Sequence, residues 1–360
     1  MENSEQKVTV GESEIKGGKE KEEKLSFFEK FLVVWIPLCM LAGILLSQYT
    51  NLGSAIDSWS VRGISIPIGI CLFLMMYPAV LNLQASELKK LKDNPKPIIL
   101  TLVSNWIVAP LVGFGLAKLF LGDNDQLFVA VILLSSSPCT AMVLVWGSMA
   151  HGNQEQNVLN TSINTITIMI FYAPLVAFLT GIQNIEVDRV SLAISVLVFI
   201  GLPIILGIIT RKTIIPRKGE KWFNEVYRPI LGKISIVALL TTLIVLFALN
   251  GNTLLANPEL LLLVSAPLLL GFVIVVGYNV LITKLFRLKY REAVVTVIIG
   301  SSSHFEIAIA TAVTAYGVGS VAALGTTMGL FWEIPVMLSL VYFGRYLGKK
   351  HFWPPNTPNM

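Results

Sequence analysis

Ten stretches of this chain are apolar for about as long as a bilayer is thick. They lie near 29–49, 63–82, 97–119, 126–150, 158–180, 190–210, 229–250, 259–283, 292–316 and 320–343. A helix of roughly 20 apolar residues crosses the hydrocarbon layer. The same pattern cannot be spread over a water-soluble surface, because only 14% of the 360 residues are charged and 54% are hydrophobic. Soluble domains carry charge on about a quarter of their residues. The sequence therefore predicts an all-α membrane protein with ten transmembrane helices.

Charge placement sets the expected orientation. Of the 27 Lys and Arg residues, 24 fall in the segment before span one, the loops after spans two, six and eight, and the stretch after span ten. Only Arg62, Lys118 and Arg189 fall on the other side. Cytoplasmic loops hold the excess of basic residues, so both termini are expected in the cytoplasm, with the chain multi-pass in the plasma membrane. The net charge of +5 is accounted for by this asymmetry and implies no nucleic-acid partner. The mixed Lys/Glu stretch through about Lys24 reads as a solvated, disordered tail rather than a cleaved signal peptide.

The halves repeat. Pro37 and Pro203 are 166 residues apart, as are the serine triplets that begin at Ser135 and Ser301. Ala109-Pro110-Leu111 has a counterpart in Ala266-Pro267-Leu268, and Pro174 has one in Pro335. Each half holds an odd number of spans, so the second must insert upside down. Two inverted five-helix repeats are expected at 28–183 and 184–345, between a cytoplasmic tail at 1–27 and a second at 346–360. Such repeats put transporter sites where discontinuous helices meet at the midplane.

Two breaks are expected. Ser135-Ser136-Ser137-Pro138-Cys139-Thr140 interrupts the fourth span and Ser301-Ser302-Ser303-His304-Phe305-Glu306 the ninth. Proline removes a backbone donor and crowds the preceding turn, and non-helical backbone at membrane depth survives only against protein or a water-filled cavity. Cys139 at the first break is a soft ligand, suited to soft metals and metalloids. Glu306 at the second is a mid-membrane carboxylate, a functional candidate by default, suited to a proton-coupled step. Glu333 could share its proton or hold a water network, and His304 could exchange protons with Glu306. Asn105 could bond the unwound backbone of a crossing helix. Asn164 reads as inter-helix glue, Trp106 as packing, and His151 and His351 as solvated span ends. Cys39 and Cys71 read as core filler; no cysteine spacing indicates a disulfide or a zinc site. No soluble-enzyme motif is present, and without a P-loop the chain does not itself hydrolyse ATP. A separate ATPase subunit is left open and is not required; no cofactor is expected.

Several motifs are similar to those of a known family. Pro67-Ile68-Gly69 through Met75-Met76-Tyr77-Pro78, Asn105-Trp106 with Pro110, and Pro138-Cys139-Thr140-Ala141-Met142-Val143 through Trp146 resemble the arsenite efflux permeases. So do Phe305-Glu306-Ile307-Ala308 and Glu333-Ile334-Pro335-Val336-Met337-Leu338. These permeases belong to the bile acid/arsenite/riboflavin transporter superfamily. The resemblance implies proton-driven export of arsenite, and in some members antimonite, through a ten-helix inverted repeat. It implies that Cys139 is the arsenic(III) ligand and Glu306 the coupling acid. Polar groups at the breaks, Ser136, Ser137, Ser302, Ser303 and Asn105, would hold the substrate hydroxyls. Two departures concern coupling ion and substrate range: Ser303-His304 stands where the family has asparagines, and Asn164-Thr165 where it has Asn-Asp. The competing expectation is a sodium-coupled symporter of an organic anion, as in the bile acid branch, with Cys139 incidental.

Overall fold

The computed structural model describes residues 31–50, 59–61, 64–81, 94–256 and 258–355. The expected tail at 1–27 and the basic cluster Lys89, Lys90 and Lys92 lie outside the described residues. The fold is built from helices. They are α1 (Leu32–Tyr49), α2 (Ile66–Leu81), α3 (Pro95–Leu121), α4 (Asp125–Ser135), α5 (Met142–Met149) and α6 (Gln154–Ile182). After these come α7 (Arg189–Lys218), α8 (Arg228–Ala256), α9 (Glu259–Leu285), α10 (Tyr290–Gly300), α11 (Phe305–Tyr316) and α12 (Val321–Lys349). A two-residue ladder pairs β1 (Ser60–Val61) with β2 (Ile64–Ser65). Among the described residues six helices are long and apolar enough to cross a membrane by themselves, α3, α6, α7, α9, α12 and the one containing most of α8; several shorter apolar helices accompany them.

The ends of these helices are written in short polar residues. Asn124 caps α4 through the Leu127 amide (3.0 Å), Asn153 caps α6 through Gln156 (3.2 Å), and Ser320 caps α12 through Ala323 (3.1 Å). Each supplies an acceptor to an otherwise orphaned first-turn donor. Asp188 caps α7, and the Ser191 hydroxyl with the Val190 and Ser191 amides holds its carboxyl below the ordinary carboxylate range.

Proline accounts for the irregular turns. Wide π-type turns occupy Ser104–Val108 in α3, Leu197–Gly201 in α7 and Phe223–Tyr227 before α8. Each ends two residues before a proline, at Pro110, Pro203 and Pro229. A proline cannot donate to the carbonyl four residues back and its ring crowds that group, so the preceding turn widens. Pro267, the sequence counterpart of Pro110, lies inside α9 without such a turn.

Helix α8 packs on α1 and α2, and α7 packs on α2. Helix α3 packs on α9 and α4, while α4 and α11 pack on α12. One large apolar cluster joins most of these helices; a second gathers Cys139, Val143, Trp146, Val297, Ile298 and Met337 with Trp353. The last described residues fold back rather than trailing away. Trp353 is buried and donates its indole N–H to Thr283 (3.1 Å), and the Tyr290 amide donates to Pro354 (3.0 Å). Large aliphatic and aromatic side chains on α3, α6, α7 and α9 remain exposed, more apolar surface than a water-soluble chain tolerates.

Candidate functional site

The fourth apolar segment is interrupted at its serines and Pro138, the ninth at its serines and His304. Helix α4 stops at Ser135 and α5 starts at Met142; α10 stops at Gly300 and α11 starts at Phe305. The two interruptions cross and pair as an antiparallel bridge between Pro138 and Ser303. The His304 amide donates to the Ser137 carbonyl (2.6 Å), and the Cys139 amide donates to the Ser302 carbonyl (3.4 Å). Backbone groups orphaned by one break are thus received by the other, as a water-poor interior requires.

Four surrounding helices complete the stitching. From α6, Asn164 donates its side-chain amide to the Cys139 carbonyl (3.1 Å), and Asn105 of α3 donates to Asn164 (3.3 Å). Asn105 therefore supports the unwound backbone one step removed, through Asn164. At the second break, Ser104 of α3 donates to the Gly300 carbonyl (2.8 Å). Asn279 of α9 donates to Ser104 (2.8 Å) and to Ser301 (3.1 Å). Gly300 permits that approach, since a Cβ there would lie 2.8 Å from the Asn279 side-chain oxygen.

Glu333, from α12, is bound entirely to the second break. It accepts from the Ser302 hydroxyl (2.5 Å), the Ser303 amide (3.1 Å) and the Ser303 hydroxyl (2.5 Å). Three donors on one carboxylate make it an anchor for the unwound segment. Glu306 has a different partner, with Nδ1 of His304 2.8 Å from its Oε2 and Nε2 of the same ring 2.8 Å from the Thr140 hydroxyl. In a neutral ring facing a carboxylate, Nδ1 carries the proton and Nε2 accepts from Thr140. His304 so links the first break to the acid of the second. Both carboxylates lie within coulombic range of Cys139, and of each other.

The predicted residues divide between those that line a cavity at the crossing and those that do not. A cavity of about 70 Å³ is lined by Asn105, Ser137, Ser302 and Ser303, with Ser135 and Ser301 beside them and apolar residues of α3 and α9 around them. A volume of this size accommodates several water molecules. Pro138 faces this chamber, whereas Cys139, His304, Glu306 and Glu333 are not among its lining. Cys139 lies outside that lining, 1% exposed, in the apolar cluster with Val143 and Trp146. Neither the sulfur of Cys139 nor the acid of Glu306 lines this chamber. Ser136 is buried, and its hydroxyl has no hydrogen-bond partner among the described residues.

Ser104 and Asn279 were not anticipated. Asn279 is a polar residue inside an apolar run, the signal that singled out Asn164; Ser104 adjoins Asn105 and carries no signal of its own. Among the described residues no group of three or more His, Cys, Asp or Glu could hold a metal ion.

Crossed helix breaks lined by buried polar groups, in a bundle of apolar helices, define a multi-pass membrane transporter. The chain belongs to the Sodium Bile acid symporter family, which it matches over residues 69–257. It is 33% identical over 344 residues to the Arsenical-resistance protein Acr3 of Alkaliphilus metalliredigens, covering 92% of this chain and 95% of that one. It is 30% identical to the protein of the same name from Corynebacterium glutamicum, with 94% of each covered. An uncharacterized transporter of Synechocystis is 39% identical over 356 residues, covering 93% of this chain and 92% of the relative. The resemblance to arsenite permeases read from the motifs is borne out by these relatives.

Proposed function

We propose that the protein exports arsenite, and by the same chemistry antimonite, from the cytoplasm across the plasma membrane in exchange for protons. The observation that carries this reading is the antiparallel pairing of the two breaks. It gathers a soft thiol and a carboxylate–imidazole pair, from residues 139, 304 and 306, around one crossing. The arsenical-resistance relatives supply the substrate. The topology that goes with the reading has ten spans in two inverted repeats, with both termini cytoplasmic; the two matching interruptions support it.

In this mechanism Asn105, Ser137, Ser302 and Ser303 receive the substrate hydroxyls in the chamber, and Ser136, with its unpaired hydroxyl, does so as the breaks shift. Cys139 then captures arsenic: an As–S bond forms, one As–O bond breaks, and the thiol proton leaves with the hydroxyl as water. A single sulfur ligand keeps the bond reversible. Glu306 takes up a proton from the outer side, with His304 as its exchange partner, and the reverse reaction with water releases the substrate. Glu333 keeps the unwound segment in shape and is the second carboxylate of the cluster. The cycle needs no ATPase subunit.

The second reading, a sodium-coupled carrier of an organic anion, is favoured by the family match to sodium bile acid symporters. Inside-out membrane vesicles separate the two. With the lumen made acid, arsenite uptake should rise several-fold and collapse on addition of a protonophore, with no response to sodium. Uptake that follows a sodium gradient and ignores the proton gradient would select the second reading.

A further inference from the structure

A second cavity, of about 330 Å³, lies away from the crossed breaks, where α5 and α12 stop and α10 starts. Its charged and titratable lining is His151, Arg291 and His351, beside the rings of Tyr290 and Trp353. Among the described residues that line it, none is acidic.

The two histidines occupy matching positions. His151 is the second residue past α5 and His351 the second past α12. Each donates its amide three residues back, to Ser148 (2.9 Å) and to Gly348 (3.1 Å). The next amide reaches five residues back, from Gly152 to Gly147 (2.9 Å) and from Phe352 to Leu347 (3.0 Å). This closure puts the histidine in the left-handed region, at φ 55° and 52°. Glycine is the usual residue there, since a Cβ is strained. Four non-glycine residues among those described have such a φ, and two of them, both histidines, line this one cavity. Neither imidazole has a hydrogen-bond or ion-pair partner among the described residues. The Tyr290 hydroxyl is committed to the Ala150 carbonyl (2.6 Å).

We propose that this cavity binds a phosphate group, carried by a free solute or by the headgroup of an anionic phospholipid. Each imidazole brings an N–H in either tautomer, and Arg291 has five N–H donors, more than one partner uses. A guanidinium matches phosphate oxygens in pairs, and the same charge repels a metal cation. The bound group would join three helices of the crossing at their shared end: α5 follows the first break, α10 leads into the second, and α12 carries Glu333. In the proposed topology this end faces the cytoplasm, where both sources of phosphate are present.

The full-length purified protein, in uncharged detergent at pH 7, is titrated with inorganic phosphate against chloride of equal ionic strength. In separate samples phosphatidylglycerol is compared with phosphatidylcholine. The melting temperature is read, because a ligand that binds only the folded state raises it. The ring resonances of isotopically labelled histidine are read as well; the chain has three histidines, so His304 serves as the internal control. A saturable rise with phosphate, with the rings of His151 and His351 shifting and His304 unmoved, supports a solute site. The same response to phosphatidylglycerol alone supports a headgroup site. His151→Gly combined with His351→Gly should raise the midpoint concentration at least about tenfold, the factor that one hydrogen bond to a charged group supplies. Glycine suits these φ values, so the variant should fold. Phosphate salts also strengthen folding without binding, equally in both proteins, so the difference between them is the reading. Unmoved rings at His151 and His351 in both titrations, or a double variant as responsive as the unaltered protein, overturns the proposal. No arm measures arsenite transport, so failure here leaves the export reading intact.

Discussion

Cells carrying Cys139→Ser are expected to export arsenite no faster than cells lacking the transporter. The change replaces one sulfur by one oxygen, a hard ligand with little preference for arsenic over water. The site gives that exchange a second consequence. Cys139 is buried in an apolar cluster with Val143, Trp146 and Met337, where an unpaired hydroxyl costs about 1–3 kcal/mol. Cys139→Ala removes that complication, because alanine brings no polar group and loses little volume. The expected pair of results is normal membrane content for Cys139→Ala, measured by immunoblot, with arsenite uptake into inside-out vesicles at background for both variants. Cys39→Ala and Cys71→Ala, at half-buried positions away from the breaks, should retain uptake. Efflux that survives Cys139→Ala would reduce the residue to packing.

Glu333→Ala is expected to be the most damaging single change to the fold of the site. The carboxylate receives two hydroxyls and one backbone amide of the unwound segment. Alanine leaves those donors without their acceptor, the Ser302 hydroxyl buried and the Ser303 groups part-buried. Each unsatisfied group costs about 1–3 kcal/mol, and the sum approaches the whole margin by which proteins of this kind stay folded. Little protein should reach the membrane, or its melting temperature should fall steeply. Glu333→Gln keeps one side-chain oxygen and should fall between the two. Glu306→Gln makes the informative contrast. Its partner is the His304 ring rather than backbone, so the variant should fold normally and bind substrate yet lose the response to a proton gradient. If Glu333→Ala is as stable as the unaltered protein, the anchoring role is wrong.

The breaks were legible because serine and proline are poor choices inside a twenty-residue apolar run, and the structure interrupts its helices at Ser136 and at Ser301. The same reasoning placed Cys139 and Glu306 beside the interruptions, and the structure has them there. Which residues pair across the crossing was not. Cys139 does not line the chamber that its neighbours Ser137 and Pro138 line, and no local pattern announces which of the three does. Nor could local sequence assign Ser104 and Asn279, whose partner Ser301 belongs to another helix. Phe352-Trp353-Pro354, read as part of a cytoplasmic tail, docks at Thr283 and Tyr290. That contact joins chain segments about 70 residues apart, with no local pattern to announce it.

The central claim is that arsenic is handed to the Cys139 sulfur at the place where the breaks cross. X-ray absorption at the arsenic edge, on purified protein loaded with arsenite, reads the atoms bound to arsenic directly. The account predicts a mixed shell of one sulfur and the remaining oxygens, with the sulfur lost in Cys139→Ala. An all-oxygen shell in the unaltered protein, indistinguishable from that of the variant, would contradict it.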